Sequence, residues 1–184
     1  MKHWLMVLVL ILSAGSYMPA RGDGNKDKDS KKLRVVTTVA PLTNIVRNIG
    51  GDRIDLHGLI PEGTDSHTFE PAPSDVQFIG KGDLFLLNGL HLETPSEKLI
   101  EAHKKSSSRL IRLADSTIAR KDWVFDFSFP ESHGDPNPHL WLSVAHVIKY
   151  SEIIRDVLVQ MDPANRDAYE KNARAYLERL NKLD

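Results

Sequence analysis

The chain has 184 residues, 41% of them hydrophobic, and a net charge of −1. That size supports one core, or one and a fraction. The near-neutral balance, with no basic stripe interleaved with aromatics, argues against a nucleic-acid partner. Absence of cysteine removes disulfides, thiolate metal sites and thiol catalysis, and leaves histidine and carboxylate as the strong metal ligands.

Lys2 and His3 precede an unbroken apolar run from Trp4 to Leu12, then Ser13-Ala14-Gly15-Ser16. Spanning a bilayer takes about 20 apolar residues, so the run is too short. It reads as a secretory signal over residues 1–20, cleaved after Gly15 or Ala20. A lipid anchor would need a cysteine where Ser16 stands, so the expectation is an exported protein, periplasmic or at the cell surface, without one. Residues 21–32 are polar and charged and read as a disordered tether. The tripeptide Arg21-Gly22-Asp23 is too short to carry a function.

From Leu33 the pattern is globular. Leu33 to Val39 is β-branched and predicts a buried strand. Pro41 opens a helix whose apolar face is Leu42, Ile45, Val46 and Ile49, ended by Gly50-Gly51. Arg53 to Ile60 alternates as a second strand up to Pro61, and a loop around His67 follows. A second helix starts at Pro73-Ser74. Asp83 to Asn88 is an apolar third strand broken by Gly89, Leu92 to Ala102 is helical, and Leu110 to Leu113 is a short fourth strand. Asp122 to Pro138 is irregular, with Trp123, Phe125, Phe127 and Phe129. After His139 a long helix runs to Met161, and Asp162-Pro163 caps another lined by Tyr169, Ala173, Tyr176, Leu177 and Leu180.

Strands alternating with helices predict an α/β fold with a parallel four-stranded sheet flanked by helices. Ligands of such sheets bind beyond the carboxyl ends of the strands. That edge receives three histidine-bearing loops: His67, the Asn88-Gly89-Leu90-His91 turn, and His139. Prolines and an aromatic stiffen the loops of His67 and His139, which favours metal coordination, but their separation has no diagnostic interval and solvated loop histidines fit equally well. His91 reads as packing near the site or capping the next helix. His133, in Glu131-Ser132-His133-Gly134-Asp135, reads as a solvated loop or a loose metal contact at the mouth. His57, His103 and His146 read as structural or exposed, Trp141 as core, and Glu70 as an outer partner of an imidazole or a plain turn carboxylate. No Gly-rich phosphate loop follows the first strand, where Ala40-Pro41-Leu42 stands, and no nucleophile elbow is present. A histidine–zinc hydrolase would need a third ligand and a base; Asp65 and Glu70 are the nominees.

Gly63-Thr64-Asp65-Ser66-His67-Thr68-Phe69-Glu70-Pro71-Ala72-Pro73-Ser74-Asp75-Val76, Asn88-Gly89-Leu90-His91-Leu92-Glu93 and Asn137-Pro138-His139-Leu140-Trp141-Leu142, in this order and strand context, resemble the zinc and manganese solute-binding proteins of bacterial ABC transporters. The resemblance implies one lobe of a two-lobed metal-binding protein, with His67 and His139 as its two metal ligands. It further implies a non-enzymatic protein that carries zinc, or manganese, as transported ligand to a membrane permease. In that frame residues 33–161 are the metal-binding lobe and 162–184 the start of an inter-lobe connector helix, with the second lobe absent and self-association of the uncovered lobe expected. Three departures stand out: Ser66 where a proline commonly precedes the first ligand, a histidine-rich loop reduced to Glu131 through Asp135, and no anchor cysteine. A secreted zinc hydrolase and a surface adhesion module are the alternatives.

Overall fold

Four strands form one sheet in the computed structural model, which describes residues 31–183. They are β1 (Leu33–Thr37), β2 (Ile54–Gly58), β3 (Leu84–Leu87) and β4 (Arg109–Arg112), in the order β2-β1-β3-β4. Every pairing is parallel; Val36 lies opposite His57 on one side and Phe85 on the other. The two inner strands carry the apolar burden. All four residues of β3 are buried, and Val35, Val36 and Thr37 of β1 are too. Such runs cannot alternate, because helices cover both faces of a parallel sheet.

The helices are α1 (Ala40–Gly50), α2 (Asp75–Ile79), α3 (Thr94–His103), α4 (Leu113–Thr117), α5 (Val144–Met161) and α6 (Arg166–Leu180). From β1 the chain moves outward to β2, then back across β1 to β3 and on to β4. Parallel crossovers are right-handed, so this reversal assigns α1 to one face and α2 with α3 to the other. The packing agrees: α1, α5 and α6 contact one another, and α2 contacts α3. The reversal leaves a crevice between the carboxyl ends of β1 and β3.

Sequence boundaries hold to within two residues or so at most elements, with β2 trimmed to Ile54–Gly58 and the third helix starting at Thr94. The expected second helix is only five residues long, and α4 was not foreseen, since Leu113-Ala114-Asp115-Ser116-Thr117 shows no helical apolar repeat. The expected signal and most of the expected tether lie outside the described residues.

The last helix departs from expectation in its packing. Part of its apolar side was expected to pack on the missing lobe and, with the uncovered surface around His67 and His139, to drive self-association. Instead Tyr169, Ala173 and Leu180 are buried against α1 and α5. Asn172 Nδ2 donates to the Ile49 carbonyl at 3.0 Å, satisfying an end of α1, and Arg179 donates to Asn48 Oδ1 at 2.7 Å. The Tyr169 hydroxyl donates to Asp162 Oδ2 at 2.6 Å and ties the helix to the turn that starts it.

Ala173→Leu therefore overpacks a full interface and lowers unfolding free energy by about 1–3 kcal/mol, whereas Ala175→Leu, on the exposed side of α6, stays within about 0.5 kcal/mol. Denaturant titrations of the two variants check this; equal effects would mean that α6 is not docked.

Candidate metal centre

The crevice is built on buried polar groups. Asn88, immediately after β3, has no exposed surface. Its Nδ2 donates to the carbonyls of Gly89 (3.1 Å) and Pro138 (3.0 Å), and its Oδ1 accepts from the Tyr150 hydroxyl of α5 at 3.1 Å. One side chain thus links the sheet edge, the loop that carries His139, and the covering helix. Glu93 fills the other side. Its Oε1 accepts from Thr38 Oγ1 and the Asn88 amide, both at 2.6 Å, and its Oε2 from the Gly89 amide at 3.2 Å. Burial pushes the Glu93 carboxyl above its ordinary value, against the opposing pull of those hydrogen bonds.

Between Asn88 and Glu93 the backbone runs left-handed through three residues: Gly89 (φ 89°), Leu90 (φ 51°) and His91 (φ 64°). Gly89 also permits a close approach, since a Cβ there would stand 2.0 Å from Asp115 Oδ2. That carboxylate accepts the Leu90 amide at 3.1 Å, and Leu90 is buried. Strain of this kind persists only where the surroundings over-determine it.

His67 and His139 meet on top of this edge. Their Nε2 atoms are 3.2 Å apart. Two nitrogens on one tetrahedral zinc, each at about 2.0–2.1 Å, would be about 3.3–3.4 Å apart. The half-buried His139 ring is held on several sides. Its Nδ1 is 2.8 Å from Asn137 Oδ1, Phe129 and Trp141 meet its ring at 5.5 and 5.1 Å between centroids, and Phe129 also faces His67 at 5.7 Å. Since Asn137 Oδ1 only accepts, Nδ1 carries the proton and the Nε2 lone pair points at His67. Burial first, and then the neighbouring His67, hold the His139 pKa below its ordinary 6.5, opposed by the Asp126 carboxylate. Asp126 is itself held below the usual carboxylate range, chiefly by its hydrogen bond from Asn137. His67 is exposed, and its backbone amide donates to Asp65 Oδ1 at 2.9 Å.

The other sequence candidates separate clearly. His91 is hydrogen-bonded through Nδ1 to Asp135 and lines a cleft of about 180 Å³ with His67, Phe129 and His133. Its carbonyl also accepts the Thr94 hydroxyl at the start of α3. His57 stacks on Phe78 at 3.7 Å, and burial lowers its pKa. His103 bonds back to the Leu99 carbonyl, and Trp141 is partly buried against the core while meeting the His139 ring in a T-shaped contact. Glu70 is exposed and lines a depression with Pro95, Lys98 and Leu99, so no contact with either imidazole supports an outer-partner role. Asp65, the other nominated base, has an oxygen occupied by the His67 turn. Among the described residues no group of three or more histidines and carboxylates converges for a metal. Sequence reasoning gave no role to Phe129, Asn137 or the Asn88–Glu93 pair, although Asn137 and Asn88 through Glu93 stood in the motifs that carry the resemblance, and it did not single out Asp126.

A family model described as zinc-uptake complex component A, periplasmic, matches residues 35–184. The metal ABC transporter substrate-binding lipoprotein FimA of Streptococcus parasanguinis is 35% identical over the whole chain, which covers 60% of that protein. The manganese ABC transporter substrate-binding lipoprotein PsaA of Streptococcus pneumoniae is 36% identical, again with 100% of this chain and 60% of the relative covered. Among solved structures, the Zn(II)-bound ZnuA-like domain of Streptococcus pneumoniae AdcA superposes with a TM-score of 0.69 at 32% identity, covering 84% of this chain and 54% of that one. The chain thus spans about 60% of the length of the curated relatives it matches. These names correct one expectation: the relatives are lipoproteins, against the reading of no lipid anchor. That reading rested on a single missing residue type near the start of the chain, outside the described residues, which says nothing of how the protein is held at a surface. Export itself agrees with the names.

Removing the central amide tests the frame. Asn88→Ala leaves the Tyr150 hydroxyl and the Pro138 carbonyl without their partner and lowers stability by about 2–4 kcal/mol, against about 1 kcal/mol for Tyr150→Phe. Chemical denaturation gives both numbers, and comparable costs would show that Asn88 does not join the three segments. Acid supplies a second test. The unfolded chain takes up a proton at His139 as pH falls below 6.5, while the fold resists it, so this residue's contribution to stability is present above 6.5 and is lost as pH falls through the lower folded value. Melting curves of wild type and His139→Gln converge toward the acid end if the sign is right.

Proposed function

The chain belongs to the zinc-uptake complex component A, periplasmic, family, and on that premise we propose that it captures a divalent transition metal outside the cytoplasm, with His67 and His139 as the ligands. The ion is cargo, handed on to an ABC-type permease. One observation carries the reading: two imidazole Nε2 atoms 3.2 Å apart, one of them with its Nδ1 engaged so that the lone pair is free. Zinc is the preferred ion, because imidazole suits it, and manganese the alternative, because carboxylate and water suit manganese. Two imidazoles fill half of a tetrahedral shell, and water completes it in the isolated chain.

In this reading residues 33–161 are the lobe that holds the ion, preceded by a signal (1–20) and a tether (21–32), and residues 162–184 begin the helix that leads to a second lobe. The docking of α6 on α1 and α5 suits a stiff connector leaving a fixed base. Self-association of the isolated chain uses the exposed Val124, Phe127 and Leu142 on segments flanking His139, since much of the apolar side of α6 is covered, with Tyr176 and Leu177 partly buried.

Titration calorimetry with zinc and with manganese tests the proposal. Zinc binds the wild-type chain more tightly than manganese, and His67→Ala and His139→Ala each weaken zinc by at least about tenfold, no less than the loss of an outer partner costs. Zinc binding weakens as pH falls and the two imidazoles take up protons, because only the neutral ring offers its lone pair. Unchanged zinc affinity in both variants would falsify the assignment of the two ligands.

A further inference from the structure

Behind His139 stand two side chains in a row, Asn137 and then Asp126. We propose that Asn137 is a positioning residue for His139, and that Asp126 sets the orientation of the Asn137 amide; this rests on the metal-capture reading above.

The argument follows single protons. Asn137 Oδ1 accepts twice from His139, from the backbone amide at 3.0 Å and from Nδ1 at 2.8 Å. Asn137 Nδ2 donates to Asp126 Oδ2 at 2.6 Å. The remaining oxygen of Asp126 accepts the amides of Ser128 (2.8 Å) and Phe129 (3.0 Å), which holds the carboxylate in place and seats Phe129 beside both imidazoles. A backbone bond from the Asn137 amide to the Val124 carbonyl (2.8 Å) locks the two segments together, and one from the Asp126 amide to the Phe129 carbonyl (3.0 Å) closes the turn that carries the carboxylate. A carboxylate can only accept. It therefore draws the NH2 end of Asn137 toward itself and leaves the oxygen for His139. That oxygen demands a proton on Nδ1, and a neutral imidazole protonated at Nδ1 bares its lone pair at Nε2, facing His67. Reversing the amide would turn an NH2 group to Nδ1, move the proton to Nε2 and block the donor. The carboxylate thus acts on the ion through two intermediaries, as outer partners of metal-bound histidines do.

Nitrogen NMR of the zinc-free full chain reads the tautomer directly, chelator competition reads zinc affinity, and melting curves confirm folding. Wild-type His139 carries its proton on Nδ1. Asn137→Ala moves the population toward Nε2–H and weakens zinc about 10–100-fold. Asp126→Asn sets an NH2 group against the NH2 of Asn137; the His139 backbone amide still favours the original orientation, so the tautomer and the affinity shift in the same direction as in Asn137→Ala but by less. The double exchange Asp126→Asn/Asn137→Asp restores an acceptor at Nδ1, a donor between the two segments, and an acceptor for Ser128 and Phe129; it recovers both the tautomer and the affinity to within about threefold of wild type. An unchanged tautomer in Asn137→Ala, a changed tautomer with unchanged affinity, or a double exchange no better than Asp126→Asn alone overturns the proposal. Failure of the metal reading shows elsewhere, as His67→Ala binding zinc like wild type, and the metal-free spectrum is independent of it.

Discussion

The hydrogen bond from Asn88 Nδ2 to the Pro138 carbonyl is the contact on which the site depends. The segment that carries His139 is a long excursion between α4 and α5 with only single 3-10 turns and no strand or α-helix of its own to register it. An amide side chain at the end of a central strand is as fixed as the sheet. It supplies a donor where the excursion returns to the sheet edge, and Tyr150 holds the same amide from α5. Because Asn88 is fully buried, the cost of leaving it unpaired enforces the whole arrangement.

The turn from Gly89 to His91 expresses the same constraint in the backbone. Three successive left-handed residues are expensive, two of them with side chains. Glu93, Asp115 and the buried Leu90 meet that cost together. The result is a rigid shelf from which the neighbouring loops are measured. His91 projects from this shelf to Asp135, which tethers the excursion a second time, four residues before His139.

The fold was legible because its pattern is redundant. Leu33 to Val39 and Asp83 to Asn88 read as buried strands from composition alone, and the helix over Val144 to Met161 repeats its apolar face often enough to be unmistakable. Leu113 to Thr117 had one turn in which to announce itself and did not. The two histidines stood out through the prolines around them, yet their meeting across 72 residues has no local signature. Still less visible was the link from Asp126 to Asn137. Eleven residues apart in an irregular stretch, they share neither a face nor a period, and only the folded excursion apposes them. Glu70 misled for the opposite reason: nearness to His67 in sequence suggested nearness in space, but the prolines that follow carry it toward α3.

The two imidazoles are held unequally. His139 is gripped by an amide, two aromatic rings and a twice-tethered backbone, whereas His67 sits on an exposed loop held by its own Asx turn and by the half-buried Phe69. An ion leaving such a pair breaks its bonds in sequence, the compliant one first. In the proposed metal capture, residence time would be governed by how often the His67 arm swings away, and substitutions that stiffen or slacken residues 61–74 would alter release kinetics while leaving the His139 anchor untouched.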